Sequence, residues 1–191
     1  MNKDFLYRLV NNIPNKDTAK YTTSKKFKTD LIDYFTENKF YSCIELGSCQ
    51  GNSTLLFSYL FDVVLGIEWD DFNLNISRER CKDRENIKIE KFDVTNNWSL
   101  LPENIDVINL DALHDVHGVR LMIDNAIHYY PNSIIIMDDY GHEDGFIKII
   151  IDELINLNKI SVLKWIGENK GFIAANKKVF VDKEGLIFKF K

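Results

Sequence analysis

The chain has 191 residues, a formal net charge of −5 and a pI near 5.4. This length suits one domain with a full apolar core. The acidic balance argues against nucleic acid as the main partner, because phosphate binding needs a basic surface. No apolar run approaches the length that spans a bilayer, and the N-terminal MNKDFLYRLVNNIPNKD lacks the apolar core and cleavage site of a secretion signal. The expectation is a cytoplasmic protein with no membrane partner. The three cysteines, Cys43, Cys49 and Cys81, match no zinc spacing and read as reduced thiols.

Residues 24–38 predict a helix with Thr23 or Ser24 as its cap and Phe27, Leu31, Ile32 and Phe35 along one face. YSCIEL at 41–46 is a short apolar strand. ELGSCQGNST follows, a loop with two glycines ahead of a helix that starts at Ser53 and runs to 61. DVVLGIE at 62–68 reads as a buried strand, 70–82 as a helix and 87–92 as a strand. IDVINLD at 105–111 is a further strand, 115–130 a helix stopped by Pro131-Asn132, and SIIIMDD at 133–139 a strand. Residues 143–157 form an amphipathic helix through Phe146, Ile150, Leu154 and Leu157. From 160 to 190 strands follow with little helix between them, and 178–190 read as a hairpin through DKEG, an exposed edge suited to a homodimer.

Apolar strands separated by helices imply an α/β fold: a single Rossmann-like domain with helices on both faces of a mostly parallel sheet and an antiparallel C-terminal edge. Residues 1–40 are expected as an N-terminal helical extension and 41–191 as the domain proper. Ligands of such sheets bind beyond the carboxyl ends of the strands. There this sequence places Glu45, Glu68, Asp93, Asp111 with His114 beyond it, and the pair Asp138-Asp139. Acids scattered through a core are costly, so their shared position is a pattern. Each also has a plainer reading. Glu45 can serve the loop amides, Asp93 an Asx turn, Asp111, Asp138 and Asp139 helix caps, and His114 the surface. His117 and His128 read as structural or solvent-facing, and His142 as a loop or rim residue. Trp69, Trp98, Tyr140 and Trp165 are wall candidates that are as readily core or surface.

The order of these pieces resembles class I S-adenosylmethionine-dependent methyltransferases from about Tyr41 to Leu157. IELGSCQGNST is similar to the first motif of the branch that includes catechol O-methyltransferase, in which the middle glycine of a dinucleotide loop is absent, as at Cys49. GIEWD resembles the second motif. INLDALHDVHGV with IIIMDDYG resembles the macrocin-type, metal-dependent sugar O-methyltransferases. The resemblance implies that Gly47, Ser48 and Gly51 line the methionine part of the cofactor, with Glu45 near its amino group. It gives Glu68 to the ribose hydroxyls, Asp93 and Val94 to the adenine, and Asp111 to the cofactor side of the site. It also implies Asp111, Asp138 and Asp139 as ligands of a divalent metal, Mg²⁺ above all, and His114 as a general base. Two departures stand out: only about forty residues precede the first strand, and catechol-type enzymes carry Asn where this chain has Asp139.

The chemistry agrees with that assignment. A ribose diol suits one carboxylate, a cofactor without phosphates needs no GxxxxGK loop, and a set of carboxylates suits a hard cation. The expected function is methyl transfer from S-adenosylmethionine to a hydroxyl of a small molecule such as a sugar or glycan. The alternatives are a non-catalytic binding protein on the same scaffold and an NAD-dependent oxidoreductase, which the missing middle glycine disfavours. Iron bound by DxxH…DD is a further possibility.

Overall fold

The computed structural model describes residues 2–14, 22–141, 145–168, 170–174, 177–181 and 183–191, with 170–174 and 177–181 described by backbone alone. His142 lies outside the described residues. In chain order the elements are α1 (Lys3–Asn12), α2 (Lys25–Glu37), β1 (Ser42–Leu46), α3 (Asn52–Leu60), β2 (Val63–Glu68), α4 (Asp71–Cys81), β3 (Ile87–Lys91), a 3-10 turn at Trp98–Leu100, β4 (Val107–Leu110), α5 (Val116–Tyr129), β5 (Ile134–Met137), α6 (Phe146–Asn156), β6 (Ile160–Ile166), β7 (Lys170–Ala174), β8 (Lys177–Val181) and β9 (Gly185–Phe190).

Seven strands form one sheet in the order β3-β2-β1-β4-β5-β9-β6. The first five pair in parallel, while β9 runs antiparallel between β5 and β6. The expected α/β class with an antiparallel C-terminal edge is what the structure shows. The expected hairpin over 178–190 is not: β8 pairs with β7 in a separate two-stranded sheet, and β9 joins the main sheet. Because β9 is flanked on both sides, the terminal strand is no free edge for a second chain, and β6 is the outer strand instead.

Alternation along the strands decides which side chain meets which helix layer. Cys43, Val64, Val107, Ile136 and Ile187 pack against Phe27, Leu31 and Phe35 of α2 and Phe57 of α3. Their neighbours Ile44, Leu65, Ile108, Ile135 and Phe188 pack on the other face with Val119 and Met122 of α5 and Ile147 and Ile151 of α6. α1 rests on α2 and α3 through Leu6, Val10, Ile32 and Leu56. Among the described residues no helix is long and apolar enough to cross a membrane.

The helix starts follow local chemistry. Ser24 caps α2 through Phe27 N, Asp70 caps α4 through Asn73 N, and Asp115 caps α5 through the amides of His117 and Gly118. α3 differs. It begins at Asn52, not Ser53, behind Gly51 at φ 75°, and no side chain caps it.

Candidate active site

Register brings the site together. Leu46 pairs with Ile67 on one side and Leu110 on the other, and Leu110 pairs with Met137. The next residues, Glu68, Gly47, Asp111 and Asp138, therefore stand in one row at the carboxyl edge. The strand order turns there, with β2 on one side of β1 and β4 on the other. Open α/β sheets bind ligands at this crevice.

The loop after β1 is held closely. The amides of Gly47 and Ser48 both donate to Ile67 O, at 2.9 and 2.8 Å. Cys49 adopts a left-handed φ of 46° and donates its amide to Glu68 Oε2 at 2.7 Å. Glu68 Oε1 accepts from the amides of Trp69 and Asp70, each at 2.8 Å. The carboxylate is thus oriented toward the loop before any ligand arrives. Burial pushes the Cys49 thiol up, which makes it a poor nucleophile. Ser48 is 2 % exposed, and its Oγ has no hydrogen-bond partner among the described residues. It lines a small cleft with Thr22, Thr23, Gly47, Asn52 and Asp111.

Glu45 lies deeper than expected. It is fully buried beneath the loop, accepts from Thr54 Oγ1, and lies 3.4 Å from Asn109 Nδ2. Burial raises its carboxyl to about 7, against the pull of Ser53 and Thr54 and with help from the charge of Asp111. Asn109 Oδ1 is buried without a partner among the described residues. A carboxyl whose folded pKa is raised adds stability below its ordinary value near 4.5 and loses it as pH climbs through about 7. Glu45→Gln is therefore expected to stabilise the protein at pH 8, by up to about 3 kcal/mol, and to change little at pH 4.5. Gln can also donate to the orphaned Asn109 oxygen once that amide turns over. Urea unfolding at the two pH values measures this, and equal stabilities at pH 8 would refute it.

At the other end of the row Asp111, His114 and Asp139 converge. One ligand atom from each lies within 4.8 Å of the others. His114 Nε2 stands 3.5 Å from Asp111 Oδ1 and 3.3 Å from Asp139 Oδ2. Bonding to the carboxylates of Asp111 and then Asp139 raises the imidazole to about 10. At neutral pH the expected general base is accordingly an imidazolium bridging two acids. Asp138, expected as a third metal ligand, is not in this group. It is 5 % exposed, and its Oδ1 accepts the amide of Asp139 at 2.6 Å. Asp139 has a left-handed φ of 54°.

Asp93 forms an Asx turn, its Oδ1 accepting from Thr95 N and Thr95 Oγ1. Val94 is buried in the core, and its carbonyl accepts from the indole of Trp98, which is itself wholly buried. Trp69 is 61 % exposed beside Glu68. Thr22 and Thr23, the latter a helix-cap candidate in the sequence, line the cleft beside Ser48. Behind them Lys28 is fully buried and donates to Thr23 O at 2.7 Å and Thr23 Oγ1 at 2.8 Å. A lysine set three and four residues before Leu31 and Ile32, on the apolar stripe of α2, is the signal that marks this segment.

No protein-family model matches the sequence, and no curated protein matches it. Solved structures do match its fold. A candidate RNA methyltransferase from Pyrococcus horikoshii superposes with a TM-score of 0.70 at 12% identity, covering 98% of each chain. A methyltransferase from Podospora anserina bound to S-adenosylhomocysteine gives 0.66 at 15% identity, over 99% of this chain and 87% of that one. A candidate caffeoyl-CoA O-methyltransferase from Staphylococcus aureus gives 0.64 at 14% identity, over 100% and 92%. The chain therefore has the class I methyltransferase fold, with the strand order and antiparallel strand already described.

Proposed function

We propose that the protein is an S-adenosylmethionine-dependent O-methyltransferase that acts on a small hydroxylated molecule, such as a sugar, with a divalent cation at Asp111 and Asp139. The observation that carries the reading is the row Glu68, Gly47, Asp111, Asp138 at the turn of the strand order, with an uncapped helix and an unpartnered Ser48 hydroxyl beside it.

The residues suit the cofactor. Glu68 offers an oriented carboxylate to a ribose diol. The N-terminus of α3 has amides and a favourable dipole for a carboxylate, with the Ser48 hydroxyl alongside. Glu45 acts from beneath the loop through its field, since it has no exposed surface. Two carboxylates and an imidazole also suit a divalent cation, and the nitrogen donor opens the set to Mn²⁺ and Fe²⁺ as well as Mg²⁺. When bound, the cofactor would supply an electrophilic methyl group, and a cation held by Asp111 and Asp139 would lower the pKa of an acceptor hydroxyl. In the net reaction the acceptor oxygen would gain the methyl group as the methyl–sulfur bond breaks and S-adenosylhomocysteine leaves, and the hydroxyl proton would go to water. Holding the reactants in line provides much of the acceleration. The net charge of −5 favours a small acceptor over a nucleic acid.

Calorimetric titration with S-adenosylhomocysteine and with Mn²⁺ tests the two halves of the reading separately. Both are expected to bind. Asp139→Asn is expected to weaken Mn²⁺ about tenfold and leave S-adenosylhomocysteine affinity within twofold. No binding of S-adenosylhomocysteine to the wild-type protein would overturn the function.

A further inference from the structure

Asp139 holds a backbone conformation that L-residues other than Asn and Asp rarely adopt, and this conformation directs its carboxylate to Asp111 and His114. Such strain persists only where the surroundings over-determine it. On one side the amide of Asp139 is tied to Asp138 Oδ1 at 2.6 Å. On the other side stands Tyr140, which is 7 % exposed and far from an ordinary core aromatic in its bonding. Its hydroxyl donates to Asp152 Oδ1 at 2.8 Å and accepts from Lys148 Nζ at 3.0 Å. Lys148 and Asp152, one turn apart on α6, also pair with each other. The ring packs on Trp165 of β6 with centroids 4.9 Å apart. The residue after Asp139 is thus anchored to a helix and a strand outside the site.

We propose that Tyr140 is a positioning residue for the cation set: its hydroxyl, held by Asp152 and Lys148, keeps the backbone of Asp139 in the left-handed conformation that turns the carboxylate toward Asp111. This rests on the divalent-cation reading above. Tyr140→Phe keeps the ring and its packing but removes both polar anchors. Residue 139 then has freedom to relax toward an ordinary φ, carrying its carboxylate away from Asp111. The cofactor loop, built on β1 and β2, does not depend on this strut.

The test is Mn²⁺ affinity of the full chain, measured by electron paramagnetic resonance, beside S-adenosylhomocysteine affinity by calorimetry. Tyr140→Phe and Asp152→Ala are each expected to weaken Mn²⁺ about tenfold and to leave S-adenosylhomocysteine within twofold. The bound Mn²⁺ spectrum should broaden as its ligands lose a single arrangement. If wild-type protein binds Mn²⁺ and both variants match it within twofold, the positioning role is wrong and the cation reading stands. If a variant loses both ligands in equal measure, Tyr140 is only structural and the proposal fails. If the wild-type protein binds no Mn²⁺, the cation reading falls and this inference with it.

Discussion

Glu68→Ala is expected to weaken S-adenosylhomocysteine binding by about 100-fold or more while lowering stability by only about 1 kcal/mol. The carboxylate stands one residue past Ile67, beside the loop that begins at Gly47. Three backbone amides already fix its direction, from Cys49, Trp69 and Asp70. A hydrogen bond to a charged acceptor contributes roughly 1.5–3 kcal/mol, so two ribose hydroxyls account for roughly 3–6 kcal/mol of cofactor affinity. The stability loss is small because Glu68 is only half-buried and water can reach the amides it leaves. Glu68→Gln keeps an acceptor without the charge and should fall between the two, near tenfold. Affinity of Glu68→Ala within threefold of wild type, in the same calorimetric titration, would place the cofactor elsewhere.

The strands and the acids at their ends were legible for one physical reason. A strand buried on both faces must be an apolar run, and the point where polar residues return is its exit to the carboxyl edge. IELG, GIEWD, INLD and IIIMDD announce that point directly. What sequence reading missed depended on backbone geometry or distant pairing. Ser and Thr signal caps, so the sequence points to Ser53 as the start of α3, but the turn is made by Gly51 in a left-handed conformation with no capping side chain. The 178–190 hairpin followed a local turn signal. β9 instead pairs with β5, about fifty residues earlier, and Gly185 lies where a Cβ would come within 2.4 Å of Met137 O. Asp111, Asp138 and Asp139 read as one group in the sequence because all three adjoin strand ends. The structure places Asp139 beside Asp111 and His114, with Asp139 at a left-handed φ of 54°, while Asp138 Oδ1 accepts the amide of Asp139.

Among the glycines Gly47, Gly51, Gly66, Gly118, Gly145, Gly167 and Gly185, Gly47→Ala is expected to be the most disruptive. A Cβ there would lie 2.1 Å from Asp111 O, 2.6 Å from Asp111 C and 2.9 Å from Ala112 Cα. All three are backbone atoms, so no side chain can rotate aside. Asp111 is itself fixed to Leu46 O through its amide at 3.0 Å, at the end of a central strand. The φ of 90° adds conformational strain to the clash. Together these are worth roughly 2–5 kcal/mol, a large part of the roughly 5–15 kcal/mol that a native domain holds. A fall in melting temperature of roughly 10 °C follows for a chain of this size. Gly145→Ala is the matched control, because its φ is 69° yet no described atom lies within 4 Å of the new Cβ. It should lose only about 1 kcal/mol from strain. The excess at Gly47 measures the close backbone approach that sets the Gly47 loop beside Asp111. For the same reason Gly47→Ala, and not Gly145→Ala, should weaken Mn²⁺ and S-adenosylhomocysteine together. Equal melting temperatures for the two variants would show that the loop and the end of β4 can part without loss, and that the row at the carboxyl edge is not held by this contact.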